Sequence, residues 1–244
     1  VFKVSPADKY AMKLYSICTT PTTVLRDEWF VKTLQDDWEL HIADLDCAPQ
    51  GNGDYLSREW YYCIRKKIDI LIEAIEVNPG EIIVWADIDI QFFRPCAGII
   101  RRCMRGRDMV FQMWNKSGSE INSGFMAIRC NERTLAFFRA VAGTPFEHRA
   151  FADQDAINDL LKQASFPLRW GVFPRTVYYV RLGPVPSRIV LHHACATPVP
   201  GIRDGRFVSS LEHKIEQMSV VRNYVQTPRW RHLQRRLKRI LRLA

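Results

Sequence analysis

Glu81-Ile82-Ile83-Val84-Trp85-Ala86-Asp87-Ile88-Asp89 runs from a continuous apolar stretch into two carboxylates. Five uncharged side chains without polar alternation are the pattern of a central strand covered on both faces. If the strand continues, its period of two points Asp87 and Asp89 the same way while Ile88 and Ile90 turn into the protein. Two acids so placed repel each other unless a cation joins them. Hard divalent ions such as Mg²⁺ or Mn²⁺ prefer oxygen ligands and bridge carboxylates to the phosphates of a substrate. A lone D-x-D also serves to cap a turn or to meet surface bases, so its reading depends on what surrounds it.

Upstream, Trp60, Ile64, Ile68, Leu71 and Ile75 recur at helical spacing, with Ser57 as N-cap and Asn78-Pro79-Gly80 as the stop. Before that helix, Gln50-Gly51-Asn52-Gly53-Asp54 is a loop and Trp38 to Leu45 a strand. The chain opens β-then-α: Met12 to Cys18 is a strand, Thr19-Thr20-Pro21 a turn, and Val24 to Leu34 a helix. Downstream, strands are expected at Met109–Met113, Gly124–Ile128 and Arg188–His192, and helices at Glu132–Val141 and Gln154–Leu161. Alternating strands and helices argue for an α/β layered sheet, in which ligands gather beyond the carboxyl ends of the strands. Asp87 and Asp89 stand at such an end.

The 244 residues are 47% hydrophobic and 25% charged, which excludes a disordered chain, a collagen and a small disulfide scaffold. No Gly/Ser/Pro-rich linker divides them, so residues 1–228 read as one main domain and 229–244 as a tail. The net charge of +9 is local: seven basic residues lie between Arg229 and Arg242, no acid follows Glu216, and the remaining 28 Lys and Arg nearly balance 26 Asp and Glu. A basic body that grips nucleic acid is therefore not expected. In the tail, Trp230, Leu233, Leu237, Ile240 and Leu241 form one helical stripe among the bases, a basic amphipathic helix suited to an anionic membrane surface. The same stripe would also suit packing on the domain or on a second subunit. Seven cysteines, an odd number without C-x-x-C pairs or zinc spacing, point to a reducing compartment. No apolar run reaches a membrane span, so the expectation is a soluble, cytoplasmic protein that the tail places peripherally on the inner face of a membrane. The start Val1-Phe2-Lys3-Val4 lacks both a hydrophobic signal core and an initiator Met, which leaves open that the chain is part of a longer protein.

Four motifs in order, Asp87-Ile88-Asp89 after the buried strand, Asn122-Ser123-Gly124-Phe125-Met126, Asp153-Gln154-Asp155-Ala156-Ile157-Asn158 and His192-His193, resemble the nucleotide-diphospho-sugar transferases of GT-A fold. The pattern is similar to that of the retaining families containing bacterial lipooligosaccharide galactosyltransferases and glycogenin, with their plant and viral relatives. The resemblance spans about Met12 to Thr197. It implies one GT-A, Rossmann-like domain with a mixed central sheet flanked by helices, followed by the C-terminal basic amphipathic helix.

The resemblance also implies roles. Asp87 and Asp89 become the metal-binding D-x-D, and the third ligand, a late histidine, matches His192 or His193. Adjacent residues on a strand face opposite ways, so which of the two binds stays open and at least one of them reads as a structural residue. An imidazole suits Mn²⁺ better than Mg²⁺. The family's downstream Lys is missing from Thr197-Pro198-Val199-Pro200-Gly201. Thr19 and Thr20 fall where family members hold the base and ribose, although simple turn chemistry accounts for them equally. Lys67 matches a basic residue directed at the donor, or else Arg65, Lys66 and Lys67 are a solvated helix face. Asn122, Ser123 and Gly124 form the turn beneath the sugar. Asp153 and Gln154 lie at the reacting centre, and Asp155 beside them belongs to the donor site; an Asp at a helix start is also a common N-cap.

The implied reaction is metal-assisted transfer from a nucleoside diphosphate sugar to a hydroxyl of a glycan or glycolipid, with retention. Two other classes remain: another Mg²⁺-dependent phosphoryl-transfer enzyme, which would want the acidic motif after the first strand, and a noncatalytic sugar-nucleotide or membrane-binding module.

Overall fold

The computed structural model describes residues 11–46, 55–114, 119–145, 149–163, 166–179, 188–195 and 200–227. Strands β1 (Met12–Thr19) and β2 (Trp38–Leu45) run parallel, joined through an irregular helical path over residues 20–33. The expected regular helix at Val24–Leu34 is corrected here: the path widens over Arg26–Phe30, tightens over Val31–Thr33, and is extended at Leu34. The Thr33 hydroxyl donates to the Trp29 and Phe30 carbonyls at 2.5 and 3.2 Å, drawing the last turn away from regular helix bonding.

Helix α1 (Arg58–Val77) starts where Ser57 Oγ accepts from the Trp60 amide at 3.0 Å. Beyond it, Gly80 at φ +83° turns the chain and donates its amide to the Cys130 carbonyl. Strand β3 (Ile82–Ala86) follows, then β4 (Ile90–Phe92) and helix α2 (Ala97–Cys103). Next come β5 (Met109–Met113), β6 (Ile121–Arg129), α3 (Glu132–Gly143), α4 (Ala152–Lys162), β7 (Trp170–Val172), β8 (Tyr178–Tyr179) and β9 (Leu191–His193). The hairpin β10 (Gly201–Arg203) and β11 (Arg206–Val208) leads into α5 (Ser210–Gln226).

The main sheet has the order β2-β1-β3-β6-β5-β7 and is mixed: β6 runs antiparallel to both β3 and β5, and the other pairs are parallel. Its central strands obey the period of two on both faces. Ile83, Trp85, Met126, Ile128 and Phe111 meet Ile68, Leu71 and Ile75 of α1 and Phe137 and Phe138 of α3. Val84, Ala86, Phe125, Ala127 and Val110 meet Phe30, Ile100, Met104 and Phe173 on the opposite side. Each buried Leu, Ile or Phe removed from water contributes about 1.5–3 kcal/mol, so these two apolar layers hold the central strands in place.

A second sheet, β4-β9-β8, carries the chain away from the D-x-D. The strand-period account of that motif does not hold. Asp87-Ile88-Asp89 is a turn closed by the Ile90 amide on the Asp87 carbonyl at 3.2 Å, and it connects one sheet to the other. Strand β9 likewise begins later than expected and takes in His193. The expected amphipathic tail at 229–244 lies outside the described residues. No helix among the described residues is long and apolar enough to cross a membrane.

Candidate functional site

The carboxyl ends of β1, β3 and β5 and the start of the antiparallel β6 open on one cleft of about 760 Å³. The turn after β3 lies at its floor. Strand β4 pairs with β9 so that Ile90 faces His193 and Gln91 faces His192, and the Ala194 amide donates to the Asp89 carbonyl at 3.0 Å. That register delivers His193 to Asp89: its Nε2 lies 3.2 Å from Asp89 Oδ1 and 3.7 Å from Asp87 Oδ2. Its Nδ1 meets Gln112 Oε1 at 3.2 Å, an orienting bond that keeps Nε2 towards the carboxylates. His192, on the other face of β9, is fully buried, with Nδ1 3.0 Å from Gln91 Nε2.

Asp87, Asp89 and His193 are the one group of ligating side chains among the described residues whose donor atoms all lie within 4.8 Å of one another. Gly124 lies against them. A Cβ there would stand 2.1 Å from His193 Cε1 and 2.8 Å from Asp87 Oδ2, so only glycine lets β6 pass this close. Two carboxylates and an oriented imidazole in a cradle cleared of side chain fit a divalent cation.

Charges in the cleft are paired. Trp85 Nε1 donates to Asp87 Oδ1 at 2.7 Å. Lys67 Nζ lies 3.3 Å from Asp87 Oδ1 and 3.1 Å from Asp153 Oδ2, and donates to the Ser123 carbonyl at 2.8 Å. At 3% exposure Lys67 is no solvated face, whereas its neighbour Lys66 meets Asp69 at the surface. Burial opposes charge on Lys67, but Asp153 and Asp87 outweigh it and raise its pKa. Lys214, on α5, pairs with Asp89 Oδ2. Burial raises the Asp89 pKa and is outweighed by Lys214 and His193, which hold the carboxyl well below its usual range. Burial likewise opposes protonation of His193, yet Cys195 and Asp89 raise its pKa to about 10. Burial, then the neighbouring His193, lowers His192 to about 3 and keeps it neutral.

The other sequence-derived residues divide. Asn122 Nδ2 donates to Gln154 Oε1 at 2.7 Å, and the Asn122 carboxamide oxygen accepts from the Gly124 amide at 2.8 Å. Asn158 clamps both backbone groups of Ile121, at 2.9 and 3.1 Å, and so sets α4 beside the start of β6. Asp153, Gln154, Ser123 and Thr19 line the cleft. Ala152, just before Asp153, sits at φ +40°, a left-handed strain of about 1–2 kcal/mol stored beside the site. Thr20 is exposed and does not line the cleft. Asp155 lies outside it too: its Oδ2 accepts from the Phe151 amide at 3.0 Å at the start of α4.

Three residues of the site escape a sequence reading: Trp85 and Lys214, which line the cleft, and Gln112, buried against His193. Gln112 left one signal, a polar side chain in an otherwise apolar strand. Trp85 reads as core, and Lys214 stands in a stretch of sequence that carries no motif.

The family model for nucleotide-diphospho-sugar transferases matches residues 55–231, which contain Asp87, Asp89 and His193 and all of the cleft lining except residues of the β1 end and the helical path after it. The chain belongs to that family. It is a glycosyltransferase, and its mixed sheet with flanking helices is the GT-A architecture. Comparison with curated proteins gives no match. Among solved structures it is similar to a glycosyltransferase involved in glycosylation of the major capsid of PBCV-1, at 14% identity over 86% of this chain and 100% of that one, with a TM-score of 0.59. The galactosyltransferase LgtC shares 11% identity over 91% of this chain and 99% of its own, with a TM-score of 0.54. The glycosyltransferase GlyE of Streptococcus pneumoniae shares 11% identity at a TM-score of 0.55; the match takes in 88% of this chain but spans only 62% of GlyE. At these identities the likeness concerns the fold.

Proposed function

We propose that the cleft binds a nucleoside diphosphate sugar together with a divalent cation held by Asp87, Asp89 and His193, and transfers the sugar to a hydroxyl of a glycan or glycolipid with retention. The observation that carries this reading is the convergence of those three donors on Gly124, in a family whose donors are nucleotide sugars. An imidazole among the ligands favours Mn²⁺ over Mg²⁺. When bound, the cation would neutralise the departing diphosphate, which lowers the barrier without a proton donor.

The chain's own residues supply orientation and charge. Lys67 fixes Asp87 and Asp153 relative to each other, and Asn122, Ser123 and Gln154 present amide and hydroxyl groups to a hydroxyl-rich ligand. The buried Asp153 carboxylate is the candidate for stabilising positive charge at the anomeric carbon. Thr19, at the end of β1, borders the side assigned to the base and ribose. The tail at 229–244 is proposed, on its sequence alone, to hold the enzyme on an anionic membrane surface.

Donor hydrolysis with and without Mn²⁺ across a panel of nucleotide sugars tests the chemistry, and the anomer released, followed by nuclear magnetic resonance, tests retention. Turnover of one donor should require Mn²⁺ and should fall at least a hundredfold in Asp87→Ala and Asp89→Ala with the fold intact. Full activity in either variant would remove the metal assignment.

A further inference from the structure

Both oxygens of Asp89 are engaged within the protein: Oδ1 by His193 Nε2 at 3.2 Å, Oδ2 by the ammonium of Lys214. The carboxylate is nearly sealed, at 6% side-chain exposure, whereas Lys214 is 27% exposed and lines the cleft. The root of Lys214 is fixed. Helix α5 is capped by Ser209, buries Met218 against Leu25, Trp29 and Ala194, and accepts from Gln91 Nε2 at the Met218 carbonyl at 2.9 Å. A lysine stem has four rotatable carbons, long enough to carry the ammonium from Asp89 towards the cleft that Lys214 lines while its root stays in place.

Charge then limits what can enter. Among the described residues lining the cleft, Asp87, Asp89 and Asp153 face Lys67 and Lys214, so once His193 has given up its proton to serve as a ligand the site carries one net negative charge. A divalent cation alone would reverse that sign and press against the ammonium already on Asp89. A diphosphate ester, with its two negative charges, restores the original balance and gives Lys214 an anion to move to. Lys67 cannot take that part, being buried and held between Asp87 and Asp153.

We propose that Lys214 is a resident counter-cation of Asp89 that makes metal binding conditional on the donor's diphosphate, so that cation and diphosphate enter as a pair and Lys214 passes from Asp89 to the diphosphate. The proposal rests on the nucleotide-sugar reading above and adds the residue that couples the two ligands. Removing Lys214 therefore has opposite effects on them. It strips a competitor from the cation and a partner from the diphosphate.

The test titrates Mn²⁺ alone into the protein, following free Mn²⁺ by electron paramagnetic resonance, and then titrates UDP, GDP and ADP by calorimetry with and without Mn²⁺. Lys214→Gln should bind Mn²⁺ alone on the order of tenfold or more tightly than the native protein. The same variant should bind the preferred diphosphate, with Mn²⁺ present, on the order of tenfold more weakly. Lys214→Arg keeps the charge and should stay near native Mn²⁺ affinity. Lys214→Met, which retains most of the stem, carries the expectations of the glutamine variant if that one does not fold. Mn²⁺ affinity that is unchanged or weaker without Lys214, or an unchanged diphosphate affinity, overturns the proposal. Mn²⁺ binding that survives Asp87→Asn, or the failure of every diphosphate to bind the native protein, removes instead the functional reading on which it rests.

Discussion

His192 and His193 are adjacent imidazoles of equal intrinsic chemistry, and the geometry gives them unrelated surroundings. His193 lies against two carboxylates at the cleft floor, while His192 is sealed behind β9 with Gln91. Replacing them should therefore separate binding from stability. His193→Ala should weaken Mn²⁺-dependent diphosphate binding at least tenfold by calorimetry. His192→Ala should leave that affinity within about threefold and lower stability by about 1–3 kcal/mol in urea, because a buried hydrogen-bonded ring is lost. Equal, small effects on binding would mean that neither is a ligand. No composition rule separates the two. Their difference is one of register, since β4 pairs with β9 so that His193 falls opposite Ile90, next to Asp89, and His192 opposite Gln91.

At the scale of elements, the far end of the main sheet is tied by a single buried acid. Asp108, just before β5, accepts from the Arg169 amide at 3.0 Å ahead of β7, from Asn131 Nδ2 at 3.1 Å at the cap of α3, and from Arg133 Nη2 at 2.5 Å. Burial works to raise its pKa, but Arg133 and the Arg169 amide hold the carboxyl well below the ordinary 3.8. The stabilisation from this group is thus complete above 3.8 and is lost as the pH falls through the lower, folded-state value. Asp108→Asn should cost about 1.5–3 kcal/mol at neutral pH, the scale of hydrogen bonds to a charged group. The gap between the variant and the native protein should narrow as acid is added below pH 4, in urea melts followed by circular dichroism. Metal-dependent donor binding should not change, since Asp108 sits at the end of β5 opposite the cleft. A gap that stays constant into acid would show that Asp108 does not act through its charge.

At the scale of the whole molecule, the proposed membrane role of the tail is separable from the chemistry of the cleft. Every residue placed in the cleft precedes Gly201 except Ser210 and Lys214, and seven of the bases that give the net +9 lie beyond residue 228. Deleting residues 229–244 should leave donor hydrolysis nearly unchanged and release the protein from anionic vesicles. Each basic residue near an anionic leaflet contributes on the order of 1 kcal/mol, so native binding should be firm at low salt and weaken as ionic strength rises. A truncated protein that still sediments with the vesicles, or that aggregates, would make the tail a structural element.

Local pattern in the sequence was enough for the α/β class, the strands at 12–18, 38–45 and 109–113, the long helix with its Ser57 cap, and the central strand that leads to Asp87. These features rest on side-chain periodicity and capping chemistry, which act over a few residues and are written in order along the chain. The sequence also carried the four motifs that mark the family. It misread the Asp87-Ile88-Asp89 segment as a continuing strand, because a turn that hands the chain from one sheet to another leaves the same residue pattern as an extended end. Only the tertiary structure set His193, and not His192, beside Asp89, turned Asp155 to the Phe151 amide, buried Lys67 between two carboxylates, and brought Lys214 from 125 residues away onto Asp89. Those outcomes depend on strand register and on helices docking across the sheet, contacts between distant residues that no local periodicity encodes.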